Sequence, residues 1–539
     1  MEILDTNFSE KLPEIVECIR KANFVALDQE FTGLFRDSTF GQPYASVQSH
    51  YSKMAKLFDG FIVIQLGISA FWVDPEDETK FQCRTFNIYL YPRGRRSTFR
   101  FEGSCIDFLV SNGFDFNKLF LNGVSYCSIQ DAEKMKAQLQ QRHAEMAEQM
   151  ARNEADLTSH IPVPNGEKET IDKACEEIDK FLASDDEELI LDSYNGFQRK
   201  LIYQAIEEKF FGKVTASPKE MEKNRKAMAI TRKKSREEEK KIFEEKCEQE
   251  MKNLDAQIGV THIFNALAES KVLIICHNMF LDLMYFMRQF TGPLPDDLNE
   301  YKKLVHDHFP SILDTKYLCS GETLKPHVNS TVLPHLLETC RNEPFGMPKV
   351  ECIGEEKYSV ECEKEHEAGY DAFITGICFI SLATFLKIPP KELNGNCKKL
   401  KSFKNKIFLM GLEDISCINL TGPDGKPSRQ HVFHTTFPST WKSGDIVRHF
   451  RNFGQIHIKW ISEGSAFVAL QQREYAASVM KKIGRTPGVT VMPYTEYEAI
   501  QSPAVDAAKK RKASQEEAEK SSAKKPRPLS KRFDESSDW

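Results

Sequence analysis

The chain has 539 residues, of which 40% are hydrophobic and 28% are charged, and its formal net charge is −6. This composition is ordinary for a soluble globular protein, and the length predicts about three or four domains. The negative charge excludes nucleic-acid binding through a positive field of the whole protein, so such binding would need local basic patches.

The sequence has no feature typical of a membrane or secreted protein. No apolar run approaches the roughly 18 residues that span a bilayer, and the N-terminal stretch MEILDTNFSEKLPE is mixed and acidic, unlike a signal peptide. The 14 cysteines are scattered, and no two form Cys-x-x-Cys. We therefore expect reduced, mostly buried thiols, and a protein of the cytosol or nucleus with no membrane partner.

The first part of the chain alternates strand-like and helical stretches. NFVALDQEFTGL (23–34), FIVIQLGISAFWV (61–73) and FNIYLYP (86–92) predict strands, whereas SCIDFLVSNGFDFNKLF is typical of helix. Residues 131–156 predict a solvated helix packed along one side. HIPVPNGEKE (160–169) is typical of a linker because it contains prolines and a glycine.

The same alternation returns after a charged insertion. A compact segment at 168–215 contains GFQRKLIYQAIEEKF, and the charge run at 218–252 predicts an exposed helix. KVLIICHN (271–278) and SILDTKYLCS (311–320) then predict strands. FLDLMYFMRQF and EAGYDAFITGICFISLATFL (367–386) predict helices.

A separate unit begins near Phe403. KIFLMGL, INLTG, HVFHTTFP, DIVRHFRNFG, IHIKWISEGSAFVAL and YEAI predict a small sandwich of strands and helices. Residues 499–539 are rich in Lys, Ala, Ser, Glu and Pro and predict a disordered tail. The tail contains the basic clusters KKRK (509–512) and KKPRP (524–528).

Two carboxylates end the first buried strand. Asp28 and Glu30 are two residues apart, so their side chains point to the same face and repel unless a cation lies between them. Mg²⁺ or Mn²⁺ would remove this conflict, since these ions prefer oxygen ligands. The alternative is a pair of solvated acids at a strand end, and the pair alone does not decide between the two.

Further acids lie near predicted helix starts. Asp282 follows the strand at 271–278, with Asn278 four residues before it. A structural role as N-cap explains Asn278 and the helix dipole explains Asp282, but neither explains His277. His366 and Asp371, in HEAGYDAF, can meet if the histidine lies in a loop and the acid in the helix. A single histidine is commonly structural, so the argument rests on the joint pattern.

That pattern, Asp-x-Glu, a later Asp and His-x4-Asp, resembles the DEDD 3′-exonuclease superfamily, which has an RNase H-like α/β fold. ALDQEFTGL, GFQRKLIYQ, HNMFLD, LDTK and HEAGYDAFITG are similar to the poly(A)-specific ribonuclease (deadenylase) family, and the similarity runs from Met1 to about residue 500. The resemblance implies a nuclease domain in two parts, an inserted small α/β single-strand-binding-type module with a charged helix, an RNA-recognition motif that is an α+β sandwich, and a disordered basic tail. The implied ranges are 1–160 and 251–400 for the nuclease, 166–250 for the insertion, 403–498 for the RNA-recognition motif and 499–539 for the tail.

The resemblance also implies roles for single residues. Asp28, Glu30, Asp282 and Asp371 would hold two Mg²⁺ ions, which Mn²⁺ could replace. His366 would be the general base that takes the proton from the attacking water. The residues implied to line a poly(A) groove are Phe31, Leu34, Phe108, Asn278 and Lys316. Stacking of a base on Phe31 would tolerate any base, so adenine preference comes from the resemblance alone.

The inserted module departs from its family pattern. GFQRKLIYQ resembles an arginine–histidine single-strand-binding module, in which histidine follows arginine by four residues, but here Tyr203 follows Arg199. RNA binding and a role in dimerisation or stability therefore both stay open for this module.

The C-terminal unit also departs from its consensus. Phe467 fits the RNA-recognition motif, but Ser465 and Leu470 stand where aromatic residues are expected, which weakens base stacking on this sheet. The resemblance implies that Trp460 stacks on a 7-methylguanosine cap, whose positive charge suits an indole face, with Trp441 as the competing candidate.

The two basic clusters of the tail are 11 residues apart, which is typical of a bipartite nuclear import signal. They predict an import receptor as partner and a protein that moves between nucleus and cytoplasm; a flexible solubilising tail is the alternative. A homodimer is implied by the family alone.

Three functions are consistent with the sequence. The leading hypothesis is a Mg²⁺-dependent 3′→5′ exoribonuclease that shortens mRNA poly(A) tails and releases 5′-AMP. The alternatives are a 3′-exonuclease that trims non-coding or structured RNA precursors, and a catalytically silent RNA- or cap-binding protein on the same fold. The presence of all five chemical positions favours an enzyme.

Overall fold

The structure is a computed structural model that describes residues 1–34, 43–93, 98–152, 161–191, 194–221, 225–233, 236–354, 357–362, 364–483 and 487–501. Both basic clusters of the tail lie outside the described residues, and the import signal therefore stays a prediction.

The secondary structure is mixed throughout. The strands are β1 (Glu2–Ile3), β2 (Phe24–Phe31), β3 (Val63–Val73), β4 (Phe81–Tyr89), β5 (Glu188–Leu191), β6 (Val214–Met221), β7 (Arg225–Arg232), β8 (Leu273–Cys276), β9 (Ile312–Asp314), β10 (Val350–Cys352), β11 (Lys406–Phe408), β12 (Cys417–Asn419), β13 (Val432–Thr436), β14 (Ile456–Ser462), β15 (Ser465–Leu470) and β16 (Thr490–Pro493). The helices are α1 (Asp5–Lys21), α2 (Val47–Leu57), α3 (Gly103–Ser111), α4 (Phe116–Asn122), α5 (Ile129–Arg152), α6 (Lys168–Ala183), α7 (Gly196–Lys209), α8 (Arg236–Ile258), α9 (Thr261–Ser270), α10 (Phe280–Thr291), α11 (Leu298–His308), α12 (Thr315–Leu318), α13 (Leu333–Arg341), α14 (Ala368–Phe385), α15 (Ser443–Phe450), α16 (Ala476–Lys482) and α17 (Tyr494–Gln501).

The largest sheet has the strand order β1-β4-β3-β2-β8-β9, and β10 joins the edge of β4 that also carries β1. β2 is a central strand, antiparallel to β3 and parallel to β8. Its apolar residues from Phe24 to Leu27 are buried, as expected for a strand that is covered on both faces.

Helices cover both faces of this sheet. α1, α9 and α10 contribute to a core on one face, and α14 packs against β2 and β3 on the other. Among the helices of the described ranges, α14 alone is long and apolar enough to span a membrane, but most of its residues are buried against the sheet. α14 is therefore a core helix of this domain.

The insertion is a separate small α/β unit. α5 and α8 pack against each other, and Glu250 of α8 accepts hydrogen bonds from Arg142 and His143 of α5 at 2.7 and 2.8 Å. Beyond this pair, α6 and α7 pack on a sheet of order β5-β7-β6 around their own apolar core.

The charge run at 218–252 is only partly the exposed helix that the sequence predicts. Its first half belongs to the β6–β7 hairpin, with Val214 opposite Arg232, and only the second half is α8. The apolar stretch Ala227–Ile230 explains the difference, because it is buried between β5 and β6 as the central strand of the small sheet.

The sequence predicted that the hairpin β11–β12 belongs to the C-terminal sandwich. In the structure it does not. Ile407 and Ile418, which face each other in this hairpin, are part of the core that α1, α9 and α10 form on the large sheet. Apolar strand patterns show that a hairpin needs a core but not which core it joins, and this assignment was therefore wrong.

The C-terminal sandwich contains the remaining strands. Its sheet has the order β14-β15-β13-β16, and α15 and α16 pack on a core that includes Ile446, Phe450 and Val479. The other face of the sheet contributes to a second cluster, in which Phe467 lies beside Tyr494 and Tyr497 of α17.

Candidate active site

Two acidic side chains leave β2 on the same face. Asp28 is opposite Gly67 of β3, and Glu30 is opposite Gln65. Glu30 is 9% exposed and Asp28 is half-buried, so they are not the solvated acids of a strand end.

The start of α14 lies directly against β3. A Cβ on Gly67 would be 1.8 Å from the carbonyl oxygen of Ala368, so only glycine permits this approach. The N–H of Ala368 donates to Gln65 Oε1 at 2.9 Å, and the N–H of Gly369 donates to Asn87 Oδ1 at 3.0 Å. These buried amides satisfy backbone donors of the first turn. The contact therefore fixes the helix turn that contains Asp371.

Asp282 is in the first turn of α10, and a buried carboxylate fixes the backbone before it. The side chain of Asp314, which is 0% exposed, accepts hydrogen bonds from the N–H groups of Asn278 and Met279 at 3.1 and 3.2 Å. It also accepts from the N–H groups of Lys316, Tyr317 and Phe408. Asp314 therefore ties together the loop before α10, the start of α12 and the hairpin strand β11.

Asp314 has a role that its apolar surroundings do not indicate, and its strand is shorter than predicted. The predicted strand at 311–320 ends at Asp314, because this residue is the N-cap of α12. The N-cap could have been predicted from the aspartate that precedes Thr-Lys-Tyr, but the apolar residues on either side favoured a continuous strand.

The carboxyl groups of the site repel one another. Burial raises the pKa of Asp28 well above its usual value, and the charges of Asp371, Asp282 and Glu30 raise it further. Burial also raises the pKa values of Asp282 and Asp371 to about 7. The protein alone therefore does not favour full ionisation of this cluster at neutral pH, whereas a bound dication would.

The donor set fits a divalent metal ion. Glu30, His366 and Asp371 each offer a ligand atom, and these atoms lie within 4.8 Å of one another. Carboxylate oxygens are the ligands that Mg²⁺ and Mn²⁺ prefer, and the repulsion at Asp28 supplies the reason to bind a cation.

His366 is held in the loop before α14, as the sequence predicts. Its backbone has a φ of 67°, and its N–H donates to Asp371 Oδ2 at 3.1 Å. The ring of Phe108 packs edge-to-face against the imidazole, with 4.6 Å between the ring centroids. The loop thus brings His366 and Asp371 together even though they do not share a helical face.

Comparison with known proteins decides the family. The model described as CAF1 family ribonuclease matches residues 3–379. This chain belongs to the CAF1 ribonuclease family. A model described as RNA binding domain matches residues 422–500, so the predicted exonuclease-type α/β fold with a C-terminal RNA-binding domain is confirmed.

Relatives of this ribonuclease cover most of its length. Poly(A)-specific ribonuclease PARN of Xenopus laevis is 35% identical over 519 residues, which cover 92% of this chain and 81% of the relative. The protein of the same name from Homo sapiens is 36% identical over 514 residues, with 92% and 80% covered. Pre-piRNA 3′-exonuclease trimmer of Bombyx mori is 26% identical over 531 residues, with 92% and 94% covered. The resemblance to poly(A)-specific ribonucleases is confirmed by the first two.

The ring of Phe31, predicted to stack on a base, is buried against another aromatic ring in the structure. Its side chain is 6% exposed, and its ring stacks on Tyr285 at 4.4 Å between centroids. The pairing of β2 with β3 shifts register between Glu30 and Phe31, so regular alternation ends there. The phenylalanine consequently enters the core that α10 covers.

For the other predicted groove residues of this CAF1-family ribonuclease, the structure gives the local contacts. Leu34 is half-buried, and its N–H donates to Glu102 Oε2 at 2.9 Å. Asn278 has a φ of 62° and precedes the N-cap of α10, which is Met279 rather than Asn278. The ammonium group of Lys316 lies 5.0 Å from the ring centre of Phe408, and burial lowers its pKa.

His277 has a structural role that the sequence did not reveal. Its Nδ1 lies 2.8 Å from Thr315 Oγ1, and its Nε2 lies 2.9 Å from the carbonyl oxygen of Thr331. Burial lowers the pKa of His277 to about 4, so the ring is neutral and links the loop before α10 to the start of α12 and to the segment at Thr331.

The RNA-binding domain does not offer an open stacking sheet. Phe467, on β15, is 0% exposed and lies against Tyr44 of the nuclease domain and Tyr494 and Tyr497 of α17. Arg429 reinforces this contact, because it forms an ion pair with Asp414 at 2.7 Å and donates to the carbonyl oxygen of Tyr44. The sheet face that would stack bases is thus occupied by protein.

The two candidate tryptophans share one neighbour. Trp460 is 41% exposed, meets Phe437 edge-on at 5.2 Å and lies with Nε1 3.3 Å from Ser443 Oγ. Trp441 stacks flat on Phe437 at 5.8 Å and packs against the core of the domain. Trp460 therefore offers the larger open surface.

In the insertion, Arg199 and Tyr203 line the same cavity, of about 340 Å³. The guanidinium group of Arg199 donates to the carbonyl oxygen of Tyr194 at 2.9 Å. This position suits either of the roles that the sequence left open.

Proposed function

We propose that this protein is a divalent-metal-dependent 3′→5′ exoribonuclease that shortens poly(A) and releases 5′-AMP. One observation carries the proposal: Asp28, Glu30, Asp282, Asp371 and His366, from separate parts of the chain, gather at one end of β2. Membership of the CAF1 ribonuclease family and the poly(A)-specific ribonucleases among the relatives support it.

We propose that the four carboxylates hold two Mg²⁺ ions, which Mn²⁺ could replace. The chemistry supplied by such ions is activation of a water molecule and stabilisation of the leaving 3′ oxygen. The support from this chain is the clustering that raises the pKa of Asp28, because cation binding relieves that repulsion.

His366 takes the proton from the attacking water in this mechanism. The positive φ of its backbone and the hydrogen bond to Asp371 fix the loop, and Phe108 packs against the ring. Attack on the last phosphodiester breaks the bond between phosphorus and the 3′ oxygen. The terminal nucleotide leaves as a 5′-monophosphate, and the shortened RNA acquires a new 3′ hydroxyl with a proton from solvent.

The test is cleavage of 5′-labelled RNA by the full-length protein. An RNA with an A tail should shorten from its 3′ end in single-nucleotide steps, and EDTA should stop the reaction. Asp28→Ala should abolish cleavage, whereas Asp107→Ala, at an exposed position of α3, should leave it unchanged. Internal cuts, or a rate that EDTA does not change, would overturn the proposal.

The trimming of other RNAs is the second candidate, because one relative is named Pre-piRNA 3′-exonuclease trimmer. Equal rates on A-tailed and U-tailed RNAs of the same length would favour it. Unchanged RNA that still shifts on a native gel would instead favour a silent RNA-binding protein.

We also propose that Trp460 binds the 7-methylguanosine cap. Its exposed indole face suits a positively charged base, with stacking and cation–π attraction of about 1–3 kcal/mol. Trp460→Ala should weaken binding of a cap analogue roughly tenfold or more and leave cleavage of uncapped RNA unchanged. An unchanged affinity, with a loss in Trp441→Ala instead, would move the site to Trp441.

Homodimerisation and nuclear import are further proposals that rest on the family resemblance and the tail sequence. Light scattering of the full-length protein should give twice the chain mass of 61.8 kDa.

A fluorescent fusion should enter the nucleus, and replacement of the lysines of KKRK (509–512) by alanine should leave it in the cytoplasm.

A further inference from the structure

Two cysteine thiols lie in contact at the edge of the large sheet. Cys83 of β4 is directly opposite Cys352 of β10, and their sulfur atoms are 3.3 Å apart. Neighbouring strands lie about 4.8 Å apart, which falls within the Cα separations of about 4.4–6.8 Å that a disulfide accepts. Bond formation therefore needs the sulfur atoms to approach but no change in strand pairing.

The two thiols differ in access to solvent. Cys83 is 0% exposed, whereas Cys352 is half-buried on an edge strand of only three residues. Cys352 Sγ donates to the carbonyl oxygen of Tyr358 at 3.2 Å, so the hydrogen bond between the sulfur atoms is donated by Cys83. This hydrogen bond lowers the pKa of the Cys352 thiol. The accessible thiol is thus also the one with more thiolate character.

A second pair of thiols in contact differs from the first pair in solvent exposure. Cys340 and Cys378 also share a hydrogen bond, but both are 0% exposed inside the core under α14. Both pairs share the contact between thiols, and the first pair differs because Cys352 is partly exposed and an oxidant can reach it.

We propose that Cys83 and Cys352 form an oxidation site that hydroperoxides convert to a disulfide. The Cys352 thiolate attacks one oxygen of hydrogen peroxide, the O–O bond breaks, and the departing hydroxide takes a proton to become water. Cys83 then attacks the sulfur of the resulting sulfenic acid, the S–O bond breaks, and a second water leaves with the proton of Cys83. Two thiols are oxidised by two electrons, and one peroxide is reduced to two waters.

The disulfide would restrain the chain after Cys352, which leads towards His366. The residue after Cys352, Ile353, donates its N–H to the carbonyl oxygen of Cys83 at 2.8 Å, and Tyr358 Oη donates to Glu367, next to His366. Because β10 is so short, the pairing at Ile353 opens readily without a covalent link. Oxidation should therefore slow amide exchange at Ile353 roughly tenfold. This inference does not depend on which RNA the protein cleaves.

The experiment treats the reduced full-length protein with hydrogen peroxide, alkylates the remaining thiols after unfolding and identifies the products by mass spectrometry. The expected product is a Cys83–Cys352 linked peptide that disappears on reduction. Cys352→Ser, at the half-buried position, should abolish the peptide, and Cys340→Ser should leave it unchanged. Cys83 that is fully alkylated after peroxide treatment, or Cys352 found only as sulfinic acid, would overturn the proposal.

Amide exchange provides a second readout that does not require a variant. Slower exchange at Ile353 in the oxidised protein, restored by reduction, is the expected result. Equal exchange in both forms would show that the disulfide does not restrain the segment before His366.

Discussion

The carbonyl oxygen of Ala368 occupies the space where any residue larger than glycine would place its Cβ at position 67, with only 1.8 Å between them. Asp28 is paired with Gly67 across the sheet, and Asp371 lies in the turn that Ala368 begins. One backbone contact therefore sets the distance between two acids of the site.

Gly67→Ala is expected to force α14 away from β3. Overpacking of this kind costs about 1–3 kcal/mol of unfolding free energy. Displacement of Asp371 should lower kcat on A-tailed RNA roughly tenfold to a hundredfold, because catalysis tolerates little misplacement. Gly103→Ala is the control, since a Cβ there meets nothing within 4 Å. Wild-type turnover in Gly67→Ala would show that the contact does not set the site.

Without metal, the free energy of unfolding should fall as the pH rises, because the folded protein raises the pKa values of these acids instead of lowering them. The folded-state pKa values of Asp282 and Asp371 are about 7, above the value of about 3.9 in an unfolded chain. The protonated groups therefore favour the fold fully below about pH 4, and this contribution is lost as the pH rises towards about 7. In EDTA, the free energy of unfolding should fall by on the order of 5 kcal/mol from about pH 5 to about pH 8, because each of the two groups loses about 1.4 kcal/mol per pH unit over about two units.

Chemical denaturation at the two pH values measures this difference. Mg²⁺ should restore the lost stability at the higher pH, because it neutralises the cluster. Asp371→Asn should reduce the pH dependence, and Asp107→Asn on the exposed face of α3 should not. A stability in EDTA that rises over this interval would contradict the electrostatic account.

Asp314→Asn should weaken the hydrogen bonds that hold the loop before Asp282 in place. The carboxylate accepts N–H groups on both oxygens, and an amide replaces one of these acceptors by a donor. The expected cost is about 1–3 kcal/mol of unfolding free energy, and kcat should fall because the loop before Asp282 loses its anchor. Asp297→Asn is the matched control, since this carboxylate accepts N–H groups only at the exposed start of α11. Equal losses in both variants would argue against a special role for Asp314.

Phe108→Leu separates positioning of His366 from binding of RNA. If Phe108 acts by packing on the imidazole, kcat should fall roughly threefold to tenfold while KM stays near its original value. If the ring binds a base, as the resemblance implied, KM should rise instead. Phe120→Leu provides the control, because Phe120 is a 42% exposed phenylalanine of the neighbouring α4. Steady-state kinetics on A-tailed RNA distinguish these outcomes.

The parts of the site that sequence predicted are those encoded locally. Asp28 and Glu30 lie near the end of an apolar strand, and Asp282 and Asp371 lie in the first turns of apolar helices, so the apolar patterns indicated that each is near the end of an element. The order of these residues then indicated one site. The burial of Phe31 could not be predicted, because the register shift after Glu30 depends on the partner strand and leaves no mark in the strand's own sequence.

The residues that support the site were not predictable in the same way. Gln65 and Asn87 accept hydrogen bonds from N–H groups of a helix about three hundred residues later in the chain, at sequence separations of 303 and 282. Nothing near either amide in the sequence indicates such a role. The hairpin β11–β12 was misassigned for the same reason, since its partner core lies elsewhere in the chain.

That hairpin determines where the chain can be divided. A polypeptide that stopped near residue 400 would lack Ile407 and Ile418 and would leave a hydrophobic gap in the catalytic half. A stop beyond Asp424, whose carboxylate pairs with Lys302 at 2.7 Å, would keep both isoleucines and this ion pair but would remove the residues that cover Tyr44. A division of the chain before the hairpin is therefore expected to destabilise the nuclease part more than a division after Asp424.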